Sequence, residues 1–134
     1  MEAEESLAKL LRMAGYSEKA IDYYLRKVNV GVLEGAESPG LYTGLCGDSM
    51  QIFLKVEDGI IKDARFQAIG CAGAFASGSA ITEMVKGKSL EEAWKITEQD
   101  VVRELGGLPK PKLHCARLAV DALKKSLEKF KVKG

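Results

Sequence analysis

The sequence of 134 residues is poor in several residue types, and each scarcity excludes a class of protein. It has only three cysteines, and an odd count argues against a disulfide framework. The net charge is +1, so no overall field favours nucleic acid or an anionic membrane. No apolar run is long enough to span a bilayer, and the acidic start fits neither a secretory nor a mitochondrial targeting segment. These features predict a cytoplasmic protein without nucleic-acid or membrane partners.

What the sequence does contain is typical of a folded domain. Hydrophobic residues make up 46% and charged residues 29% of the chain, which is ordinary for a globular protein. A chain of this size buries roughly two thirds of its unfolded surface, so it needs no covalent cross-link to fold. We expect a single domain over residues 1–134, with residues 1–15 as an N-terminal helical arm.

The hydrophobic pattern changes its period along the chain. Residues 1–13 have helical spacing, and Ser17 is suited to cap a second helix that ends near Lys27. From Leu41 the pattern alternates, and Asp58-Gly59 predicts a hairpin turn that leads into a return strand over Ile60–Ile69. If the first strand extends back to Cys46, then Cys46 and Asp48 share one face of it.

Helices follow the hairpin. Gly70-Cys71 opens a helix of small residues, whose glycines predict the close approach of another element. Ser89 and Thr97 each begin a short helix. Two prolines exclude a helix interior between Leu108 and Lys112, and the last helix begins near Leu113. Helices and a hairpin together predict an α+β fold.

The cysteines and the single histidine lie where these elements begin. Cys46, Cys71, Cys115, His114 and Asp48 are five potential ligands of a soft metal ion or an iron–sulfur cluster. Cys71 and Cys115 lie at helix N-termini, where free amides stabilise a thiolate. We therefore expect the pKa of both thiols to be lowered, with positive charge near Cys115 adding to the effect.

The spacing by itself leaves other interpretations open. There is no C-x-x-C pair, which a zinc finger would show. A lone cysteine in a small cytosolic domain is more often a buried apolar residue. His114 taken singly is more often a capping or packing residue, and Asp48 more often a turn residue. The residue pattern alone does not decide between these readings and a metal site.

Several short segments, in a fixed order along the chain, match the pattern of one family. The segments are Tyr16-Ser17-Glu18-Lys19, Asn29-Val30-Gly31, Cys46-Gly47-Asp48, Asp63-Ala64-Arg65-Phe66, Gly70-Cys71, Thr82-Glu83-Met84-Val85-Lys86-Gly87-Lys88, Leu108-Pro109 and Lys112-Leu113-His114-Cys115. With these segments the sequence resembles, from about Tyr16 to Phe130, the iron–sulfur cluster assembly scaffolds of the IscU/NifU N-terminal type. The resemblance implies an α+β fold with a small antiparallel sheet of about three strands, helices packed on it, and the ligand cysteines at one end.

The resemblance also implies a function. Such scaffolds receive sulfur as a persulfide from a cysteine desulfurase, receive iron, build a 2Fe–2S cluster and transfer it to apo-proteins, without enzymatic turnover. It implies that Cys46, Cys71 and Cys115 are cluster ligands and that His114 or Asp48 completes the set. Cys115 would accept the persulfide, Asp48 would make the cluster labile, and zinc would be able to occupy the same site.

The implied partners are a cysteine desulfurase, an Hsp70/J-type chaperone pair, a frataxin-like protein, a ferredoxin and apo iron–sulfur proteins, with homo-oligomers left open. Leu108, Pro109 and Lys112 belong to the segment that would bind the chaperone, and Lys110-Pro111 departs from the usual bacterial pattern there. His114 distinguishes the chain from a related branch of zinc-bound sulfur acceptors. A zinc-bound acceptor that activates a desulfurase and a structural zinc domain are the alternative functions.

Overall fold

The computed structural model describes residues 2–36, 41–44 and 47–130. Six α-helices, three strands and one short 3-10 helix are formed in this part of the chain. In chain order they are α1 Glu2–Met13, α2 Glu18–Arg26, β1 Tyr42–Thr43, β2 Ser49–Glu57, β3 Ile60–Ile69, α3 Ala72–Val85, α4 Leu90–Trp94, α5 Glu98–Glu104, the 3-10 helix Lys110–Lys112 and α6 Leu113–Leu127.

The three strands form one antiparallel sheet in the order β1-β2-β3, which confirms the α+β prediction. The hairpin turns at Asp58 and Gly59, both with positive φ (54° and 76°), which suits the twist of a tight turn. Ile52 pairs with Phe66 across the two long strands, and both side chains are fully buried. Helices α3 and α6 pack on this sheet and on each other.

The condition on which the shared face of Cys46 and Asp48 depends is not met. β2 begins at Ser49 and does not extend back through Asp48. The backbone before it turns instead, with the Gly44 amide donating to the Asp48 carbonyl and the Gly47 amide donating to the Gly44 carbonyl. Gly47 has a φ of 93°, which ends extended pairing there. The shared-face argument for Cys46 and Asp48 therefore fails, and Cys46 itself lies outside the described residues.

The predicted helix boundaries are confirmed where capping side chains define them. The Ser17 hydroxyl accepts from the Ala20 amide, and complete capping boxes begin α4 at Ser89 and α5 at Thr97. Each box satisfies two backbone donors that the helix end would leave unpaired. Among the described residues, no helix is long and apolar enough to cross a bilayer.

Gly78 is where α3 meets the sheet most closely. A Cβ built there would lie 2.4 Å from the ring of Phe66, which is fully buried. We predict that Gly78→Ala lowers the free energy of unfolding by about 1–3 kcal/mol, because the core has no room for the added methyl group. Urea denaturation of the variant and the wild type measures the change.

The neighbouring Ser77 supplies the matched control on the same helix. Its buried hydroxyl has no hydrogen-bond partner within the described part of the chain. Removing an unpaired buried hydroxyl leaves stability unchanged or raises it. A Gly78→Ala variant as stable as Ser77→Ala would contradict the predicted steric conflict.

Candidate metal centre

The site is formed where one strand and two helices begin. Asp48 lies just before β2, Cys71 caps the N-terminus of α3, and His114 and Cys115 lie in the first turn of α6. Since α3 packs against α6 and β3 leads directly into α3, these ends meet at one side of the molecule. The tertiary structure thus brings together side chains that are up to 67 positions apart along the chain, from Asp48 to Cys115.

The distances in this group match those within one metal coordination shell. The Sγ atoms of Cys71 and Cys115 are 3.6 Å apart. Two thiolates bound to one tetrahedral zinc ion lie about 3.8 Å apart, given Zn–S bonds of about 2.3 Å. Asp48 Oδ2 is 3.8 Å from Cys71 Sγ, and His114 Nε2 is 3.8 Å from Cys115 Sγ. One ligand atom each of Asp48, His114 and Cys115 lies within 4.8 Å of the other two, and Cys71 joins this group through its distances to Asp48 and Cys115.

The side chains differ in their access to solvent. His114 is exposed, Asp48 and Cys71 are half-buried, and Cys115 has no exposed surface. The group therefore extends from the surface into the edge of the core. The donors are two sulfurs, one imidazole nitrogen and one carboxylate oxygen, a set that suits zinc or iron better than calcium or magnesium.

The electrostatics of the two thiols are opposite. The hydrogen bond from Cys115 is the main cause that lowers the pKa of Cys71, to about 5, although burial opposes it. The amides of Ala74 and Gly73, at the N-terminus of α3, and the Lys112 ammonium add to the lowering. Cys71 is therefore the more acidic thiol of the pair in the metal-free protein.

The expectation of a lowered pKa for Cys115 is wrong. The hydrogen bond to Cys71 and the burial of the sulfur both raise the pKa of the Cys115 thiol, and the negative charges of Cys71 and Asp48 raise it further. The charge of Lys112 lowers the pKa of Cys115, but this effect is smaller than those that raise it. A helix N-terminus does favour a thiolate, but the negative charge of the adjacent Cys71 has the larger effect on the pKa of Cys115.

The sequence places Lys112 in the partner-binding segment and also expects its charge near Cys115, and in the structure that charge acts on both thiols. One residue at the site is not assigned to it by the sequence. Tyr16 is 8% exposed, and burial followed by the charges of Cys71 and Cys115 raises the pKa of its hydroxyl to about 12. Tyr16 directly precedes the helix cap Ser17, where an apolar side chain often packs against the first turns of the helix. This position predicts burial of the Tyr16 ring but not the location of its hydroxyl beside the thiols.

The other residues of the partner-binding prediction lie beside the site. Leu108 is partly buried against the core, and Pro109 is half-buried. A Cβ at Gly15 would lie 3.5 Å from the Pro109 ring, so the end of the N-terminal arm lies against this segment. Whether these residues bind a partner stays a prediction.

We predict that Cys71 in the metal-free protein reacts with iodoacetamide in a pH range centred near 5, because its pKa is about 5. An ordinary cysteine titrates near 8.5. Cys115→Ala removes the hydrogen bond that is the main cause, so the midpoint for Cys71 should move to higher pH. Mass spectrometry of the alkylated peptides separates Cys71 from the other cysteines.

The same shifts affect stability in opposite senses. The pKa of Cys71 is lower in the folded state, so its stabilising effect is complete above the unfolded pKa and is lost as pH falls towards about 5. The pKa of Cys115 is raised, so its contribution to stability is present at lower pH and is lost as pH rises above the unfolded pKa.

In the alkylation experiment, an unchanged pH midpoint of Cys71 in Cys115→Ala would contradict the hydrogen bond from Cys115 as the main cause of the lowered pKa.

Comparison with known proteins shows which families and proteins this chain is similar to. A sequence model of the NifU-like N terminal domain matches residues 15–134. The iron–sulfur cluster assembly scaffold protein IscU 1 of Archaeoglobus fulgidus is 49% identical over 113 residues, covering 84% of this chain and 74% of that protein. The scaffold protein IscU of Haemophilus influenzae is 49% identical over 124 residues, covering 88% of this chain and 97% of that protein.

A solved structure agrees with the fold. The N-terminal part of a nitrogen-fixing NifU-like protein from Brucella abortus superposes with a TM-score of 0.72 at 17% identity, covering 92% of this chain and 99% of that one. The family match extends over nearly the whole described fold and includes every residue of the site. The chain therefore belongs to the family of NifU-like N-terminal domains, as the resemblance predicted.

Proposed function

We propose that this protein is a scaffold on which a 2Fe–2S cluster is assembled from iron and desulfurase-derived persulfide sulfur, and from which the cluster is transferred to apo-proteins. The observation that carries the proposal is the 3.6 Å separation of the Cys71 and Cys115 sulfurs, with Asp48 and His114 each 3.8 Å from one of them. The scaffold names of the relatives from Archaeoglobus fulgidus and Haemophilus influenzae support it. The cluster is the cargo of this protein.

The proposed ligands are Cys46, Cys71 and Cys115, with Asp48 or His114 completing the set. Thiolates bind iron and zinc strongly because they are soft ligands. A carboxylate oxygen is harder and holds a cluster iron less firmly. A site that combines thiolates with Asp48 is therefore able to hold a cluster and still release it, which is what a carrier requires.

Cys115 is the proposed acceptor of the persulfide. Its sulfur would attack the outer sulfur of the donor persulfide, the donor S–S bond would break, and the donor cysteine would leave as a thiolate. The thiol proton of Cys115 can pass to the Cys71 thiolate, which lies 3.6 Å away. Because Cys115 has no exposed surface, the first turn of α6 must open before a partner can deliver sulfur.

The proposed partners follow from this role. A cysteine desulfurase supplies sulfur, a ferredoxin and a frataxin-like protein assist assembly, and apo iron–sulfur proteins receive the cluster. The segment with Leu108, Pro109 and Lys112 is proposed to bind an Hsp70/J-type chaperone pair. This segment lies next to the sulfurs through Lys112, so a chaperone bound there would act close to the cluster.

Anaerobic reconstitution tests the proposal. The protein is mixed with ferrous iron, cysteine and a cysteine desulfurase, and the visible absorbance, iron and acid-labile sulfide are measured. The scaffold function predicts visible charge-transfer bands with equal amounts of iron and sulfide, and transfer of the cluster to an apo-ferredoxin. A protein that stays colourless would contradict it.

The second candidate function is a zinc-bound sulfur acceptor that activates its desulfurase. The distances around Cys71 and Cys115 favour it too, because they match one tetrahedral zinc ion. This function predicts a colourless protein that keeps zinc, carries persulfide and raises desulfurase turnover. Metal analysis of freshly purified anaerobic protein distinguishes the two functions.

A further inference from the structure

Two glycines flank Cys71, and each leaves space for a different ligand. A Cβ built on Gly70 would lie 2.7 Å from Asp48 Oδ2, 2.8 Å from Asp48 Cγ and 3.0 Å from Ala74 Cβ, so the carboxylate is its nearest neighbour. A Cβ built on Gly73 would lie 3.0 Å from Cys115 Sγ. Both glycines have φ outside the left-handed region, so their backbones suit any residue. Glycine is needed at these positions for space and not for its backbone freedom.

We propose that Gly70 is a positioning residue for Asp48. The carboxylate lies in the volume that a side chain at position 70 would fill, and in that position its Oδ2 is 3.8 Å from Cys71 Sγ. An added methyl group must push the carboxylate away, because carbon and oxygen atoms do not approach to 2.7 Å without a bond. The proposal rests on the proposed function, since it assigns to Gly70 control over release of the cluster.

The surroundings make Asp48 the group that moves. It follows Gly47 in a turn and precedes β2, so no strand pairing holds it. It is half-buried, so its carboxylate has solvent to turn towards. Gly70, in contrast, stands between Ile69, which is paired with Ser49 in the sheet, and Cys71, which caps α3. A methyl group at position 70 therefore displaces the carboxylate and leaves the backbone in place.

Gly73 provides a matched comparison on the other side of Cys71. It is buried in the first turn of α3, and its missing Cβ leaves space for Cys115 Sγ and for the Tyr16 hydroxyl, which would lie 3.3 Å away. Gly73→Ala thus disturbs a thiolate ligand, whereas Gly70→Ala disturbs the carboxylate. The two substitutions add the same methyl group and should have opposite effects on how long a cluster is held.

The experiment is a double-mutant cycle of Gly70→Ala and Asp48→Ala, with Gly73→Ala beside it. The cluster is reconstituted in each variant, and its lifetime is measured by the decay of visible absorbance under a chelator. We expect Gly70→Ala to lengthen the lifetime several-fold in the wild-type background and to have a much smaller effect in the Asp48→Ala background, where only the contact with Ala74 Cβ remains. We expect Gly73→Ala to shorten the lifetime in both backgrounds.

Two further measurements need no cluster. The melting temperature of the metal-free protein should fall further on Gly70→Ala when Asp48 is present, because the contact with Ala74 Cβ acts in both backgrounds and the conflict with the carboxylate acts in one. The spectrum of bound Co²⁺ should change with Gly70→Ala in the wild type and not in Asp48→Ala. These two measurements test the contact between position 70 and the Asp48 carboxylate without a cluster. If the wild type builds no cluster, the scaffold function fails, but the two measurements still decide whether the contact exists.

An equal effect of Gly70→Ala in the two backgrounds, on lifetime, melting temperature or Co²⁺ spectrum, would overturn the proposal. Gly70 is exposed, and besides Asp48 the added methyl group meets the buried Ala74 Cβ at 3.0 Å, a contact that is the same in both backgrounds. If Gly70→Ala fails to fold alone, the double variant with Asp48→Ala should fold, because the conflict is then removed. A double variant that also fails to fold would equally overturn it.

Discussion

Cys71→Ser will reduce the amount of cluster that the protein retains by at least about tenfold, the scale on which even supporting groups around a metal act. The physical reason is the loss of a soft sulfur ligand that lies 3.6 Å from Cys115 and 3.8 Å from Asp48. A serine hydroxyl is a poor ligand at neutral pH because it stays protonated. Iron and sulfide analysis after anaerobic reconstitution and desalting measures the retained cluster.

The control for this variant is Ala72→Ser. It introduces the same hydroxyl group one residue away, at the first position of α3, where the structure places no ligand. Both variants should keep a melting temperature close to that of the wild type, because Cys71 is only half-buried. Full retention of the cluster by Cys71→Ser would remove Cys71 from the ligand set, and equal losses in the two variants would attribute the effect to the helix start.

Asp48→Ala will have the second large effect, and in the opposite direction. The carboxylate is the hard member of a soft ligand set, so its removal should leave a cluster that is released several-fold more slowly. Transfer to an apo-ferredoxin should slow by a similar factor, since release precedes delivery. The decay of visible absorbance and the appearance of holo-ferredoxin measure the two rates.

Asp22→Ala is the matched control for charge. Asp22 is an exposed carboxylate paired with Arg26 within α2, so its removal changes the net charge equally without touching the site. It should leave cluster lifetime and transfer unchanged. A cluster in Asp48→Ala that decays as fast as in the wild type would assign the labile position to another ligand, of which His114 is the exposed one.

Much of the fold could be read from local chemistry. The cap residues Ser17, Ser89 and Thr97 begin helices because each satisfies a backbone donor within three residues. Asp58-Gly59 predicts the hairpin because both residues tolerate positive φ. These signals act over short distances along the chain, so they are visible without tertiary structure.

The sequence misleads where a property depends on a group that is distant along the chain. The helix N-terminus predicted a lowered pKa for Cys115, but the thiolate of Cys71, 44 positions earlier, raises it. The shared face of Cys46 and Asp48 depends on a strand that extends back through Asp48, but Gly47 turns the chain and β2 begins at Ser49. The contribution of Tyr16 to the sulfur site is likewise not visible in the sequence, because it depends on packing between segments.

The sequence by itself determined the donor types available, three thiols and one imidazole in the whole chain, and with them a preference for zinc or iron. It also determined the family, because the matching motifs keep their order over most of the chain. Only the tertiary structure decided which sulfur is the thiolate and how closely Asp48 approaches it. Ionisation and ligand spacing depend on charges and excluded volume across a few ångströms, and the packing of α3 on α6 and the turn before β2 set those distances.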